Sequence, residues 1–126
     1  MGDTPLHGSC LCGQVQFHAT PDRHVIACHC SQCRKTSGHY SASFDADEAT
    51  VTWQSRKVSD HVSPGGGVRG FCTDCGSGLY FRGADGEFSL EAGSIANPSC
   101  GQLARHFFVA DKGDYYDIDG DAVRLN

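Results

Sequence analysis

The chain has 126 residues, a formal net charge of -5 and eight cysteines. A hydrophobic fraction of 39% with sixteen glycines predicts a single domain over residues 1–126, with many turns, few long helices and a modest core. The charge argues against a nucleic acid partner, no apolar run approaches a membrane span, and the polar start without a signal segment favours a reducing cytoplasm.

The hydrophobic pattern mostly has a period of two, which predicts strands rather than helices. One helical turn is expected at residues 31–36, with Ser31 as its N-cap, and a mobile loop at residues 63–67. The tail predicts a final hairpin around Asp119 and Gly120. The class is therefore all-β, with strands predicted at residues 15–19, 24–28, 40–44, 50–53, 68–71, 78–82, 87–92 and 105–110.

Seven of the eight cysteines fall into three knots with metal-ligand spacing. A small secreted domain could use them for disulfides, but cysteines one or two residues apart are poor disulfide partners and good chelates for a tetrahedral ion. A glycine follows Cys12 and Cys75, where it lets backbone N–H groups approach the sulfurs. We therefore favour metal binding by Cys10-x-Cys12, Cys28-x-Cys30-x-x-Cys33 and Cys72-x-x-Cys75.

Seven thiols divide as four plus three, because zinc takes four thiolates in a closed structural site and three protein ligands in an open one. Alternate residues of a strand share a face, so Cys10 and Cys12 are expected to face one ion at a strand start. Pairing them with the knuckle Cys72-x-x-Cys75 gives the closed site. The middle knot then keeps an open position, unless Cys100 or a histidine closes it.

The three knots resemble the glutathione-dependent formaldehyde-activating enzyme family, whose pattern the centromere protein V relatives share. The resemblance covers about residues 8–112, and Gly93-Ser94-Ile95 and Arg105-His106 are similar to later family segments. Tyr115-Tyr116 departs from the family pattern, in which a tryptophan is common there. The motifs that carry the resemblance are Gly8-Ser9-Cys10-Leu11-Cys12-Gly13, Cys28-His29-Cys30-Ser31-Gln32-Cys33-Arg34-Lys35-Thr36-Ser37-Gly38 and Phe71-Cys72-Thr73-Asp74-Cys75-Gly76-Ser77.

The resemblance implies stacked antiparallel sheets of the β-tent or Mss4-like type, stabilised by zinc. It also implies two Zn²⁺ per chain, one structural and one catalytic. The family joins glutathione and formaldehyde into S-(hydroxymethyl)glutathione, and the reverse reaction is that of a carbon–sulfur lyase. The structural ligands would be Cys10, Cys12, Cys72 and Cys75, and the catalytic ligands Cys28, Cys30 and Cys33.

Four residues are candidates for contacts with a small thiol such as glutathione. Arg34, Lys35 and Arg69 could meet its carboxylates, although solvated surface charges are the simpler interpretation of each. His29 is the fourth candidate; it and His39 flank the presumed site, where they could move protons or could be packed or exposed without a role. Trp53, Tyr80 and Phe107 are expected in the core rather than in a substrate wall.

Two alternatives to this lyase stay open at the level of sequence. A non-catalytic zinc module that binds a peptide or protein would need no exchangeable position at Cys28, Cys30 and Cys33. A third hypothesis keeps the chemistry but uses another thiol or another small electrophile.

Overall fold

The computed structural model describes residues 4–126. Strands predominate, as the all-β prediction requires, and none of the helices in these residues is long and apolar enough to cross a membrane. The strands are β1 (Leu6–Ser9), β2 (Gln16–Ala19), β3 (His24–Cys28), β4 (Ser41–Asp45), β5 (Thr52–Ser55), β6 (Val58–Val62), β7 (Val68–Cys72), β8 (Gly78–Arg82), β9 (Phe88–Glu91), β10 (Gln102–Phe107) and β11 (Val123–Arg124), and the helix is α1 (Ser31–Ser37).

The strands form two stacked sheets. The smaller has the order β1-β2-β5 and the larger the order β11-β10-β3-β4-β9-β8-β7-β6. Pairing is antiparallel except that β10 runs parallel to both β3 and β11. An isolated bridge between Gly8 and Ile95 connects the small sheet to the segment after β9.

The core lies where apolar faces of the two sheets meet. Phe17 of the small sheet and Tyr80 and Leu90 of the large sheet are at most 1% exposed. Trp53 packs with its ring centroid 5.2 Å from Phe17 and 5.9 Å from Tyr80, so its predicted place in the core is confirmed. Phe107 is half-buried on β10 and lies outside this cluster.

Several predicted boundaries are wrong. The tail forms no hairpin in the described chain, because Val123 and Arg124 pair in parallel with β10 instead of folding back on the preceding residues. A 3-10 turn at Glu48–Thr50, capped by the Asp47 carboxylate, includes the first residue of the strand predicted at 50–53. The strand observed there is β5, which begins at Thr52. At the other end, Phe108 has a φ of 56° and stops β10 before the predicted residue 110.

Candidate metal centres

The four-cysteine cluster joins two turns that are far apart in the chain. Cys10 follows β1 and Cys12 lies in the next turn, so these two ligands do not sit in an extended strand as predicted. Cys72 ends β7, and Cys75 lies in the turn before β8. All four sulfurs lie within 4.8 Å of one another, and Cys12 Sγ is 3.7 Å from both Cys10 Sγ and Cys72 Sγ.

This spacing fits a tetrahedral zinc ion. A Zn–S bond of about 2.3 Å gives a tetrahedral edge of roughly 3.8 Å between sulfurs, close to the 3.7 Å separations here. Backbone N–H groups also point at the sulfurs, from Val15 to Cys10 Sγ at 3.2 Å and from Cys75 to Cys72 Sγ at 3.4 Å. Such donors hold thiolate ligands in place, so the chain has the chemistry that a structural zinc requires.

The thiols of this cluster differ in acidity. The Ser77 hydroxyl, 3.2 Å from the sulfur, is the main cause that lowers the pKa of Cys75 to about 5. The N–H of Gln14 lowers the pKa of Cys12, but desolvation and the three neighbouring thiols outweigh it and raise this pKa to about 12. At neutral pH, binding of a divalent ion therefore has to displace protons from part of the cluster.

The three-cysteine cluster forms where β3 passes into α1. Cys28 ends β3, Cys30 is the N-cap of α1, and Cys33 lies in the first turn with 8% of its surface exposed. Cys30 Sγ accepts a hydrogen bond from the N–H of Cys33 at 3.4 Å, so the predicted cap Ser31 is wrong and a sulfur replaces the usual hydroxyl. The three sulfurs lie within 4.8 Å of one another.

Within residues 4–126, neither Cys100 nor any histidine joins this three-sulfur group. Cys100 is exposed and lies in the segment before β10. The Cys33 thiol donates to Cys28, which is the main cause that lowers the pKa of Cys28 and raises that of Cys33. Three soft sulfur donors on one short segment are a fitting set for zinc.

Of the three predicted cations, Arg69 contacts the three-cysteine cluster. Its Nη2 is 3.9 Å from Cys33 Sγ and 3.4 Å from the side-chain oxygen of Gln32, and its Nε donates to Ser63 Oγ at 3.1 Å. Arg34 and Lys35 are exposed on α1, and Arg34 contacts only the Asp111 carbonyl, at 3.4 Å, among the hydrogen bonds of residues 4–126. These two side chains are open to solvent, whereas Arg69 is held in place.

His29 lies between Cys28 and Cys30 in the chain and is fully buried. Its Nδ1 is 2.5 Å from the Tyr116 hydroxyl, and its Nε2 is 2.9 Å from His106 Nδ1. Burial is the main cause that lowers the pKa of both histidines, which favours neutral rings. His39 is exposed and bonds to the Tyr115 hydroxyl. Tyr115 and Tyr116 therefore pack against His39 and His29, respectively.

Residues 5–111 match the family described as glutathione-dependent formaldehyde-activating enzyme. The chain belongs to this family. A 27% identical relative, an uncharacterized lyase of Schizosaccharomyces pombe, aligns over 114 residues that cover 88% of this chain and 83% of the relative. A relative from Halomonas elongata that carries the family name is 38% identical over 88 residues, or 60% of this chain and 54% of that protein. The chain thus spans about half the length of the second relative.

A crystal structure of a Rhodobacter sphaeroides protein is also similar, with a TM-score of 0.62. The match covers 77% of this chain and 96% of that protein at 18% sequence identity. At this identity the likeness shows the fold alone. It agrees with the stacked-sheet architecture that the family resemblance implies.

A cavity that the sequence pattern does not predict lies between the four-cysteine turns and α1. Its volume is about 880 Å³, and it reaches from the four-cysteine turns to the C-terminal end of α1. Arg69 and Glu91 both line it, and Ser41 donates to the two Glu91 oxygens at 3.0 and 3.1 Å. Burial raises the pKa of Glu91, opposed by the Ser41 hydroxyl and the charge of Arg69.

Proposed function

We propose that the chain is a zinc-dependent carbon–sulfur lyase or synthase that acts on glutathione, or a similar thiol, and formaldehyde or another small electrophile. The observation that carries this proposal is the convergence of three thiol sulfurs without a fourth ligand from residues 4–126. Arg69, which contacts Cys33 of this cluster, also lines a cavity of about 880 Å³. Cavities of this size bind small molecules. We assign a structural zinc to Cys10, Cys12, Cys72 and Cys75, and a catalytic zinc to Cys28, Cys30 and Cys33.

The reaction is an addition in which every atom is retained. The thiol sulfur forms a bond to the carbonyl carbon, the C–O π bond breaks, and the proton of the thiol ends on the oxygen. When bound, zinc would lower the pKa of a thiol at the open position and hold it as a thiolate. The reverse reaction breaks the same carbon–sulfur bond. Since glutathione and formaldehyde combine without help, the main contribution of the protein would be to hold the two reactants together.

The surrounding side chains have distinct parts in this proposal. Arg69 binds a carboxylate of the thiol substrate, because its guanidinium is held beside Cys33 by Ser63 and Gln32. Arg34 and Lys35 offer further positive charge from the exposed face of α1. His29 has an indirect role, because both of its ring nitrogens are already hydrogen-bonded, one to Tyr116 and the other to His106.

The proposal is tested by the exchange of ¹³C-formaldehyde with S-(hydroxymethyl)glutathione, followed by NMR magnetisation transfer on the zinc-loaded chain. We expect exchange well above the spontaneous rate, lost in Cys30→Ser and kept in Cys100→Ser. Zinc content should fall from two to one per chain in Cys30→Ser and remain two in Cys100→Ser.

Exchange at the spontaneous rate in the zinc-loaded chain would overturn the proposal. Cobalt substitution then separates the alternatives, because a thiol that enters an open site changes the sulfur-to-cobalt absorption bands. If glutathione does not change these absorption bands in the wild type or in Cys100→Ser, a non-catalytic module that binds a peptide or protein is favoured. Bands that respond to another thiol alone would favour a different substrate.

A further inference from the structure

Two histidines form a pair on the small sheet, away from both cysteine clusters. His7 of β1 lies directly opposite His18 of β2, and both residues are half-buried. Their neighbours along the strands, Leu6 and Gly8 on β1 and Phe17 on β2, are buried. Since alternate residues of a strand face opposite sides, the two imidazoles lie together on the face that is turned away from the core.

Backbone hydrogen bonds show that the two strands are close together at this pair. The Cys10 N–H donates to the Val15 carbonyl, so these two residues are a hydrogen-bonded pair of the β1–β2 ladder. Pairs alternate along an antiparallel ladder, which makes His7 and His18, three positions further on, a non-hydrogen-bonded pair. The His7 carbonyl accordingly accepts from the Ala96 N–H on the other side of β1. In such pairs the Cα atoms are about 4.5 Å apart, and the side chains are closer than in hydrogen-bonded pairs.

The separation of the two rings fits a shared metal ion. Their centroids are 5.0 Å apart, with an angle of 56° between the ring planes. A metal–nitrogen bond of about 2.1 Å places each imidazole centroid roughly 3.2 Å from the ion. Two such rings on neighbouring coordination positions have centroids about 4.5 Å apart in octahedral geometry and about 5.2 Å apart in tetrahedral geometry. The observed separation lies between these two values.

The ring nitrogens of this pair are not used elsewhere in residues 4–126. The histidine rings that make hydrogen bonds in this part of the chain are those of His24, His29, His39 and His106. Thr52 of β5, the other strand neighbour of His18, is exposed and uncharged. Water can therefore reach an ion that is bound on this face.

We propose that His7 and His18 bind a divalent first-row transition-metal ion on the outer face of the small sheet, with water completing its coordination. Imidazole nitrogen suits zinc, nickel and copper, whereas magnesium and calcium prefer oxygen ligands. The ion joins β1 to β2 and holds the register of the strands whose connecting turn carries Cys10 and Cys12. The site shares no ligand with either cysteine cluster, so the inference does not depend on the proposed lyase function.

Binding of Ni²⁺ to the zinc-loaded chain tests the site, because nickel is measured separately from zinc. We expect equilibrium dialysis to show one nickel ion per chain and an unchanged zinc content. His7→Gln and His18→Gln should each weaken nickel binding by about tenfold or more, because a chelate becomes a single ligand. His61→Gln removes an exposed strand histidine of the large sheet, and this matched control should bind nickel as the wild type does.

Two further measurements distinguish a chelate from two independent histidines. The double variant should bind nickel no more weakly than either single variant, because the first replacement already removes the chelate. Nickel should raise the midpoint of thermal unfolding of the wild type but not of the single variants, since only the paired strands bring both imidazoles to one ion. The midpoints without nickel show that each variant is folded.

Two results would overturn the inference. The first is nickel binding in folded His7→Gln or His18→Gln that is as tight as in the wild type. The second is a double variant in which the two losses add, because additive losses would mean that each histidine binds its own ion.

Discussion

Glu91 illustrates how a single half-buried carboxylate can oppose folding. Its carboxylate is withdrawn from water on β9, and its only hydrogen-bond donor among residues 4–126 is the buried Ser41 hydroxyl. Burial raises the pKa of Glu91 because it disfavours the charged form.

Glu91→Gln should make the ligand-free protein more stable at pH 8, by an amount on the order of 1 kcal/mol. A carboxyl group with a raised folded-state pKa gives stability that is complete below its unfolded pKa and is lost as pH rises through the folded pKa. The advantage of the variant should therefore shrink as pH falls toward the ordinary carboxyl range. Urea unfolding between pH 8.5 and the ordinary carboxyl pKa of 4.5 measures it, with Glu87→Gln as the control. An advantage that does not change with pH would contradict this account.

At the scale of elements, turn geometry brings the cysteines together. Gly13 and Gly76 directly follow Cys12 and Cys75, and their φ values are 81° and 80°. This left-handed backbone costs an L-residue about 1 kcal/mol or more, but costs glycine little. The sequence interpretation of these glycines as turn residues is confirmed by their backbone. α1 ends in the same way, at Gly38 with a φ of 81°.

Gly76→Ala should destabilise the zinc-loaded protein by about 1 kcal/mol, because its φ is left-handed although no atom lies within 4 Å of the added Cβ. Gly93→Ala is the matched control, with equal space and no positive φ, and should change stability by less than about 0.5 kcal/mol. Equal losses in chemical unfolding would mean that backbone conformation is not the cause.

Ligand chemistry could be predicted from the sequence, but strand pairing could not. Local spacing defines the three cysteine groups, and the preference of zinc for four thiolates predicts the cluster of Cys10, Cys12, Cys72 and Cys75 that the structure brings together. β1 and β6 were missed, since sequences such as His7-Gly8-Ser9 and Ser59-Asp60-His61 lack apolar alternation and form strands through their neighbours. The cavity and the contact of His29 with His106, 77 residues away, depend on strand order, which periodicity does not encode.

At the scale of the whole molecule, the two clusters cross-link the chain over very different distances. The four-cysteine cluster connects the β1–β2 turn of the small sheet to the β7–β8 turn of the large sheet, across 60 residues between Cys12 and Cys72. The N–H of Leu11 reinforces this link through Ser77 Oγ at 3.0 Å. The three-cysteine cluster joins only the end of β3 to the first turn of α1.

This difference predicts that loss of one ligand has unequal effects in the two clusters. Closing a loop of 60 residues is worth about 4 kcal/mol by chain entropy, a large part of the roughly 5–15 kcal/mol that stabilises a domain. Cys75→Ser should therefore unfold or aggregate the protein, because metal binding and folding are coupled there. The three-cysteine cluster closes no long loop, and in Cys30→Ser the serine hydroxyl can still cap α1. A folded chain with one zinc fewer is therefore expected.

Cys75 and Cys30 are both half-buried, which makes these variants a matched pair, and the exposed Cys100→Ser controls for loss of any thiol. Zinc content and the midpoint of thermal unfolding, measured together, distinguish the outcomes. Unfolding of Cys30→Ser to the same extent as Cys75→Ser would mean that the α1 cluster also holds the fold together, and the division into a structural and a catalytic zinc would be wrong. A folded Cys30→Ser chain that lacks one zinc and has lost its exchange activity would place stability at one cluster and chemistry at the other.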